Sequence, residues 1–149
     1  MSMSVNVTVD FSDKYKKIVG AQYDKIVDEV LTRTIVEADT ICQREAPVDT
    51  GTLRRSIGTS HPNMGTVCLT AGVKYWVNVQ YGTSAHTITP KNKKLLAWQG
   101  EDKKMHFARK VNHPGTKANP FVTRTVKKVK GKRLFEINFN EILRMKGIL

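Results

Sequence analysis

Three observations in the sequence predict an α+β fold, with a long N-terminal helix packed on a small antiparallel sheet, an extended basic loop or hairpin, and a C-terminal helix. Apolar residues recur every three or four positions from Tyr15 to Cys42, alternate with period two from Thr66 to Val73, and regain helical spacing after Pro120. The 149 residues, 40% hydrophobic and 26% charged, suit one domain with its own core along the whole chain. No run approaches the roughly 18 apolar residues that cross a bilayer, and the first residues lack the basic-then-apolar pattern of a signal peptide. The expectation is a soluble intracellular protein with no membrane partner. Cys42 and Cys68 show neither CxxC nor CxH spacing, so buried thiols are expected in place of a disulfide framework or a zinc site.

Taken in order, Val5, Val7, Val9 and Phe11 alternate with polar residues and suit a short strand over 4–11. Ser12 or Asp13 caps a helix from about 14 to 45, whose apolar face runs through Ile18, Val19, Ile26, Val30, Ile35, Ala38 and Cys42. Asp24, Asp28, Glu29, Glu37 and Asp39 keep its other face wet. Pro47 ends it, because the ring of a proline drives the preceding residue out of the helical region. A Gly51 turn and a short amphipathic helical turn follow, presenting Leu53 and Ile57, with Asp49 or Thr50 as cap. A hairpin is then predicted: a strand over 56–60, a turn at 62–65, and a return strand with Val67, Leu69, Ala71 and Val73 on one face and Thr66, Cys68 and Thr70 on the other.

Residues 75–81 read as two helical turns closed by Gly82, since glycine enters the left-handed region freely. Strands are predicted at 87–89, 95–99 and 104–111, the last two forming a second hairpin about Gly100-Glu101-Asp102. Residues 112–119 read as loop. Asn119-Pro120 resembles an N-cap with proline at the first helical position, and Phe121, Val122, Thr125, Val126 and Val129 make the next apolar face. Gly131 is expected to break or bend that helix. Beyond Leu134 the spacing fits a strand or a helix, with helix favoured.

Charge is the main functional signal. The chain carries 25 Lys and Arg against 13 Asp and Glu, a net +12. Residues 1–90 hold nine of each sign, 134–149 two of each, and 91–133 fourteen basic residues against Glu101 and Asp102. Solubilising charge would be interspersed; charge confined to one stretch points to a polyanionic partner. Lys91, Lys93 and Lys94 form one turn, Lys103 and Lys104 begin a strand, Arg109 and Lys110 end it, and Lys117 follows in the loop. If 95–111 is a hairpin, these groups sit at its two ends, a geometry for loose phosphate attraction and not for reading bases. Trp98 and Phe107 offer rings for stacking, yet alternation suits a core equally well, and the core reading is preferred.

No enzyme is expected. GxSxG and GxxxxGK[ST] are absent, and His86, His106 and His113 have no recognised ligand spacing even with Asp102 and Glu101 nearby. No catalytic residue, metal or cofactor is therefore assigned.

Three phrases carry a resemblance: APVDTGTLRRSI at 46–57, YWVNVQYGT at 75–83 and HPGTKANPF at 113–121. Together they resemble the tail-component family of tailed bacteriophages typified by gene product ten of the Hong Kong phage type, grouped with tail-completion proteins. The motif positions are Pro47, Asp49, Thr50, Gly51, Leu53, Arg54 and Ser56, then Tyr81, Gly82 and Thr83, then His113, Pro114, Gly115, Pro120 and Phe121. Gln80 stands where the family pattern suggests an acidic residue. The resemblance implies a non-enzymatic virion protein of the head-to-tail neck, made in the host cytoplasm and assembled as a ring, expected to be hexameric. Its implied neighbours are the stopper or adaptor, the tail terminator and the tail tube, with genomic DNA passing non-specifically through the lumen. Whether the basic arm, about 91–119, faces DNA or a neighbouring protein stays open, and a free sequence-independent nucleic-acid-binding domain is the alternative.

Overall fold

The computed structural model describes the backbone of Val5–Asn6 and all of residues 19–100 and 102–149. The chain is α+β and forms two compact units: Met1–Trp76 with Pro120–Leu149, and Val77–Asn119. The expected strand over 4–11 is described only at β1 (Val5–Asn6), and the expected helix start near 14 lies outside the described residues.

In the first unit a 3-10 turn, Gly20–Gln22, leads into α1 (Tyr23–Glu45), about 35 Å long at the standard rise. The period predicted from sequence is the one that is buried: Ile26, Val30, Leu31, Thr34, Ile35, Ala38 and Cys42 are covered. Ala46 is extended, as the following Pro47 requires. Helix α2 (Thr52–Ser56) and strand β2 (Ile57–Asn63) bury Leu53 and Ile57. Strand β3 (Thr66–Ala71) is central in an antiparallel sheet ordered β1-β3-β2.

The hairpin departs from expectation in one way. Its turn lies at Met64 and Gly65, with Pro62 inside β2; the ladder slips between Ser60 and Asn63 on this edge strand, the position where a residue without an N–H does least harm. Val67, Leu69 and Ala71 are buried on one face of β3; on the other, Cys68 is buried, as expected of the thiols, between half-buried Thr66 and Thr70. Both thiols are free and buried.

Two helices complete the unit, α4 (Phe121–Gly131) and α5 (Leu134–Met145), following the short α3 (Trp76–Tyr81) in chain order. The C-terminal stretch is thus helical. Pro120 itself occupies the cap position, one residue later than the Asn119 cap expected. Helix α4 ends at Gly131, as expected, and the turn to α5 passes through Lys132 and Arg133, the latter at left-handed φ of 50°. Helix α1 contacts strands β2 and β3 of the sheet and both α4 and α5. Val19, Ile26, Val30, Phe139, Ile142 and Leu143 form one core cluster, and Phe121 and Thr125 are fully covered. Each such apolar side chain contributes about 1.5–3 kcal/mol on burial.

The acidic residues of α1 do more than keep a face wet. Asp28 accepts the Gly65 N–H at 2.8 Å and meets His61 Nε2 at 3.2 Å, tying the β2–β3 turn to the helix. Glu29 pairs with Lys146 at 3.1 Å, and Glu37 accepts from Asn138 Nδ2 at 3.1 Å. Glu45, at the helix end, accepts from Arg124 Nε at 2.7 Å and from Lys128, while Arg124 Nη2 donates to the Glu45 carbonyl oxygen at 2.9 Å. A cation thus meets carbonyls left unpaired where α1 stops, the end at which the helix dipole favours positive charge.

The second unit opens in α3 (Trp76–Tyr81), whose first residue belongs to the first unit. It contains β4 (His86–Ile88), β5 (Leu96–Gln99), β6 (Met105–Ala108) and β7 (Val111–His113). Strands β5 and β6 form the predicted second hairpin. The expected strand over 104–111, however, is broken at Arg109 and Lys110, and Asn112 and His113, expected in a loop, pair with β4. The result is one long nested hairpin.

Candidate functional site

The nested hairpin is closed by two of the three sequence phrases. Thr83 and Thr116 form an isolated antiparallel bridge, with Thr83 N donating to Thr116 O at 3.0 Å and Thr116 N to Thr83 O at 3.1 Å. Their hydroxyls lie 2.6 Å apart, and Asn119 N donates to Val79 O at 2.8 Å. Gly82 (φ +73°) and Gly115 (φ +91°) make this approach possible: a Cβ on Gly82 would lie 2.5 Å from Thr116 O, and one on Gly115 2.2 Å from Thr83 O. No side chain fits at either point. Beside this clasp, His86 and His113 face each other across β4 and β7 with ring centroids 5.1 Å apart. His86 Nδ1 lies 2.9 Å from Ser84 O, which only accepts, whereas His113 Nδ1 accepts the Gly115 N–H at 3.0 Å. Both rings therefore serve the backbone of the clasp. Exposed Pro114 and Tyr81 flank it, and Gln80 is buried.

The remaining motif positions lie in the first unit. Pro47 ends α1, and the N-cap of α2 is Gly51, in the left-handed region, with no side-chain cap bond, so neither Asp49 nor Thr50 takes the expected cap position; Thr50 Oγ1 accepts the Thr52 N–H at 3.4 Å from outside it. Leu53 is buried, Ser56 Oγ donates to Leu53 O at 2.8 Å, and Asp49 and Arg54 are exposed. Pro120 and fully buried Phe121 start α4.

Along the hairpin the cations fall into groups. Lys117 is next to the clasp; Lys91, Lys93 and Lys94 lie on one side of the gap between the two ladders, with Arg109 and Lys110 on the other; Lys103 and Lys104 are at the tip. All eight are exposed. The tip is held by its own bonds: Gln99 Nε2 donates to Lys103 O at 3.0 Å, Gly100 N to Lys104 O at 2.9 Å, and Lys104 N to Asp102 Oδ1 at 3.1 Å. His106 Nε2 reaches the same oxygen at 3.0 Å. The His106 bond, followed by the Lys104 N–H, holds the Asp102 carboxyl below the ordinary range for aspartate.

Between these cations the preference for a core position at Trp98 and Phe107 is overturned. Phe107 is 65% exposed and Trp98 40% exposed, the indole stacked on His106 at 5.6 Å. Two strands alone have no second layer to bury either face. Met105, unremarked in the sequence, is exposed beside them. The lysines on either side of both strands were the visible signal, while the four-residue strand length, too short to supply a core, emerges only in the structure, the sequence having suggested strands over 95–99 and 104–111. Among the described residues of 77–119, Gln80 is the one buried residue.

Among the described residues, no three His, Cys, Asp or Glu side chains converge as a metal site, and no helix is long and apolar enough to cross a membrane. No family model, curated protein or solved structure matches the chain. Its geometry, charge and three phrases are the basis of the functional reading.

Proposed function

We propose that this protein is a structural subunit of the head-to-tail connection of a long-tailed bacteriophage. It completes the head-proximal end of the tail as one member of a ring, expected to be sixfold, around the DNA channel. Its neighbours are the stopper or adaptor, tail terminator and tail-tube proteins, and its work is fitting among them without making or breaking a bond. The observation that carries this reading is the nested hairpin: strongly cationic, closed at its base by a fitted clasp, and without an apolar core of its own. Such a segment gains cover only in an assembly, since isolated two-stranded ribbons are marginal in water. The clasp is built from two of the phrases that resemble the tail-component family, which ties the resemblance to the same segment.

Deleting the gene from the producing phage is the test. Negative-stain images should show tails with defective head-proximal ends and heads without tails; normal infectious particles would overturn the proposal. A second reading, a free sequence-independent nucleic-acid-binding domain, draws on exposed Trp98 and Phe107 beside lysines, a pairing suited to base stacking. It requires the purified chain to bind short DNA at roughly 0.15 M salt, with affinity falling steeply as salt rises.

A further inference from the structure

The β5–β6 ribbon combines three features that together specify a partner. The first is its two apolar faces. Residues paired across an antiparallel ladder share a face, so Trp98 and His106 lie on one side, while Ala97 with Phe107 and Gln99 with Met105 lie on the other. Exposed apolar side chains therefore look out in both directions. A single strand of nucleic acid stacks its bases on one face of a sheet, and a duplex groove offers mainly polar edges and phosphates. A ribbon apolar on both sides is covered only between two walls, as in a protein groove.

The second feature is where the charges stand. No Lys or Arg occurs within 96–99 or 105–108, and the cations are confined to the tip and to the gap at the other end. An apolar centre with a charged rim is the layout of a protein–protein contact, whereas single-strand binders run cations and aromatics together along one groove. The third is the sign of that rim. Asp102 is the one acidic residue described in the second unit, and it is engaged by His106 and Lys104. A second copy of the chain offers no clustered acids to the lysines: Asp28, Glu29, Glu45, Glu136 and Glu141 already pair within the first unit, and exposed Asp24 and Asp49 stand singly, one in the first turn of α1 and one past its end.

We infer that the β5–β6 ribbon docks into an apolar groove bordered by Asp and Glu side chains on a different protein. This rests on the neck reading and names its partner chemistry: the hairpin meets an acidic neighbour, not the genome and not its own copy. The bonds that join Gln99 and Gly100 to Lys103 and Lys104 already tie the ends of β5 and β6 together, so docking orders little of that backbone.

The probes are fluorescein-labelled polymers, added to the purified full-length chain at roughly 0.15 M salt: a random glutamate–tyrosine copolymer, polyglutamate of equal length, and single- and double-stranded DNA of about 20 nucleotides or base pairs. The copolymer is expected to bind about tenfold or more tighter than each of the others. Phe107→Ser should weaken copolymer binding about tenfold while leaving polyglutamate binding unchanged. Lys103→Glu with Lys104→Glu should weaken both. Because Phe107 is exposed, the variant should melt as the parent does, and Met105→Ser provides an independent check on the same face. Equal binding of polyglutamate and copolymer, tighter binding of either DNA, or a Phe107-dependent self-association seen by sedimentation would each overturn the inference. None of those outcomes bears on whether particles lacking the protein have defective necks, so the two readings fail separately.

Discussion

At the scale of single residues, the clasp depends on what is missing from Gly82 and Gly115. Both have φ in the region that side-chain-bearing residues rarely adopt, and both lie against backbone atoms that cannot move aside as a flexible side chain would. Gly115→Ala is expected to cost about 2 kcal/mol or more within the hairpin, from the unfavourable φ plus the collision with Thr83 O. Hydrogen exchange should show the Thr83 and Thr116 amides losing protection while amides in α1 keep theirs; unchanged exchange at the bridge would refute the role given to the glycine. The sequence marks these positions as turn glycines, yet the bridge across them joins residues far apart in the chain, and residue spacing carries no sign of that meeting. Trp98 and Phe107 teach the converse. Alternation tells which side chains share a face, but burial needs a second layer, and two-stranded β5–β6 has none.

At the scale of elements, α1 was legible because a 3.6-residue repeat of apolar positions has one good solution, a helix with that stripe covered. Its end was legible too, through Pro47. What α1 meets there was not: Glu45 is joined to Arg124 and Lys128 on α4 by a contact between distant parts of the chain. The bond from Lys128, then that from Arg124, holds the Glu45 carboxyl below the usual glutamate range. A carboxyl lowered in the folded state supports the fold above the unfolded value of 4.5 and loses that support as pH falls through the lower folded value. Glu45→Gln should therefore lower the melting temperature at neutral pH, with the difference from the parent shrinking as pH drops below that of a free glutamate. A constant difference across that range would exclude the linkage. The joint between α4 and α5 was legible as well: α4 ends at Gly131, and Arg133 takes the left-handed conformation in the turn that follows.

At the scale of the whole molecule, the chain divides into a unit with a packed apolar core and a hairpin unit whose described residues are exposed except for scattered partly covered positions and buried Gln80. Trypsin should cut first after Lys91, Lys93, Lys94, Lys103 or Lys104, because exposed backbone in small ladders opens at low cost. The first unit should retain a cooperative melt after those cuts, monitored by circular dichroism; early cleavage within α1, or loss of the transition on nicking the hairpin, would contradict this division. The sequence by itself determined the α+β class, the long helix, the helical C-terminus and the concentration of charge, because each depends on local periodicity or composition. Only the tertiary structure decided that two distant phrases close one clasp, that β4 finds β7, and that the aromatic ribbon lacks cover. Those features are set by which backbones approach each other and how many layers stand above a strand, and neither quantity is encoded in the spacing of neighbouring residues.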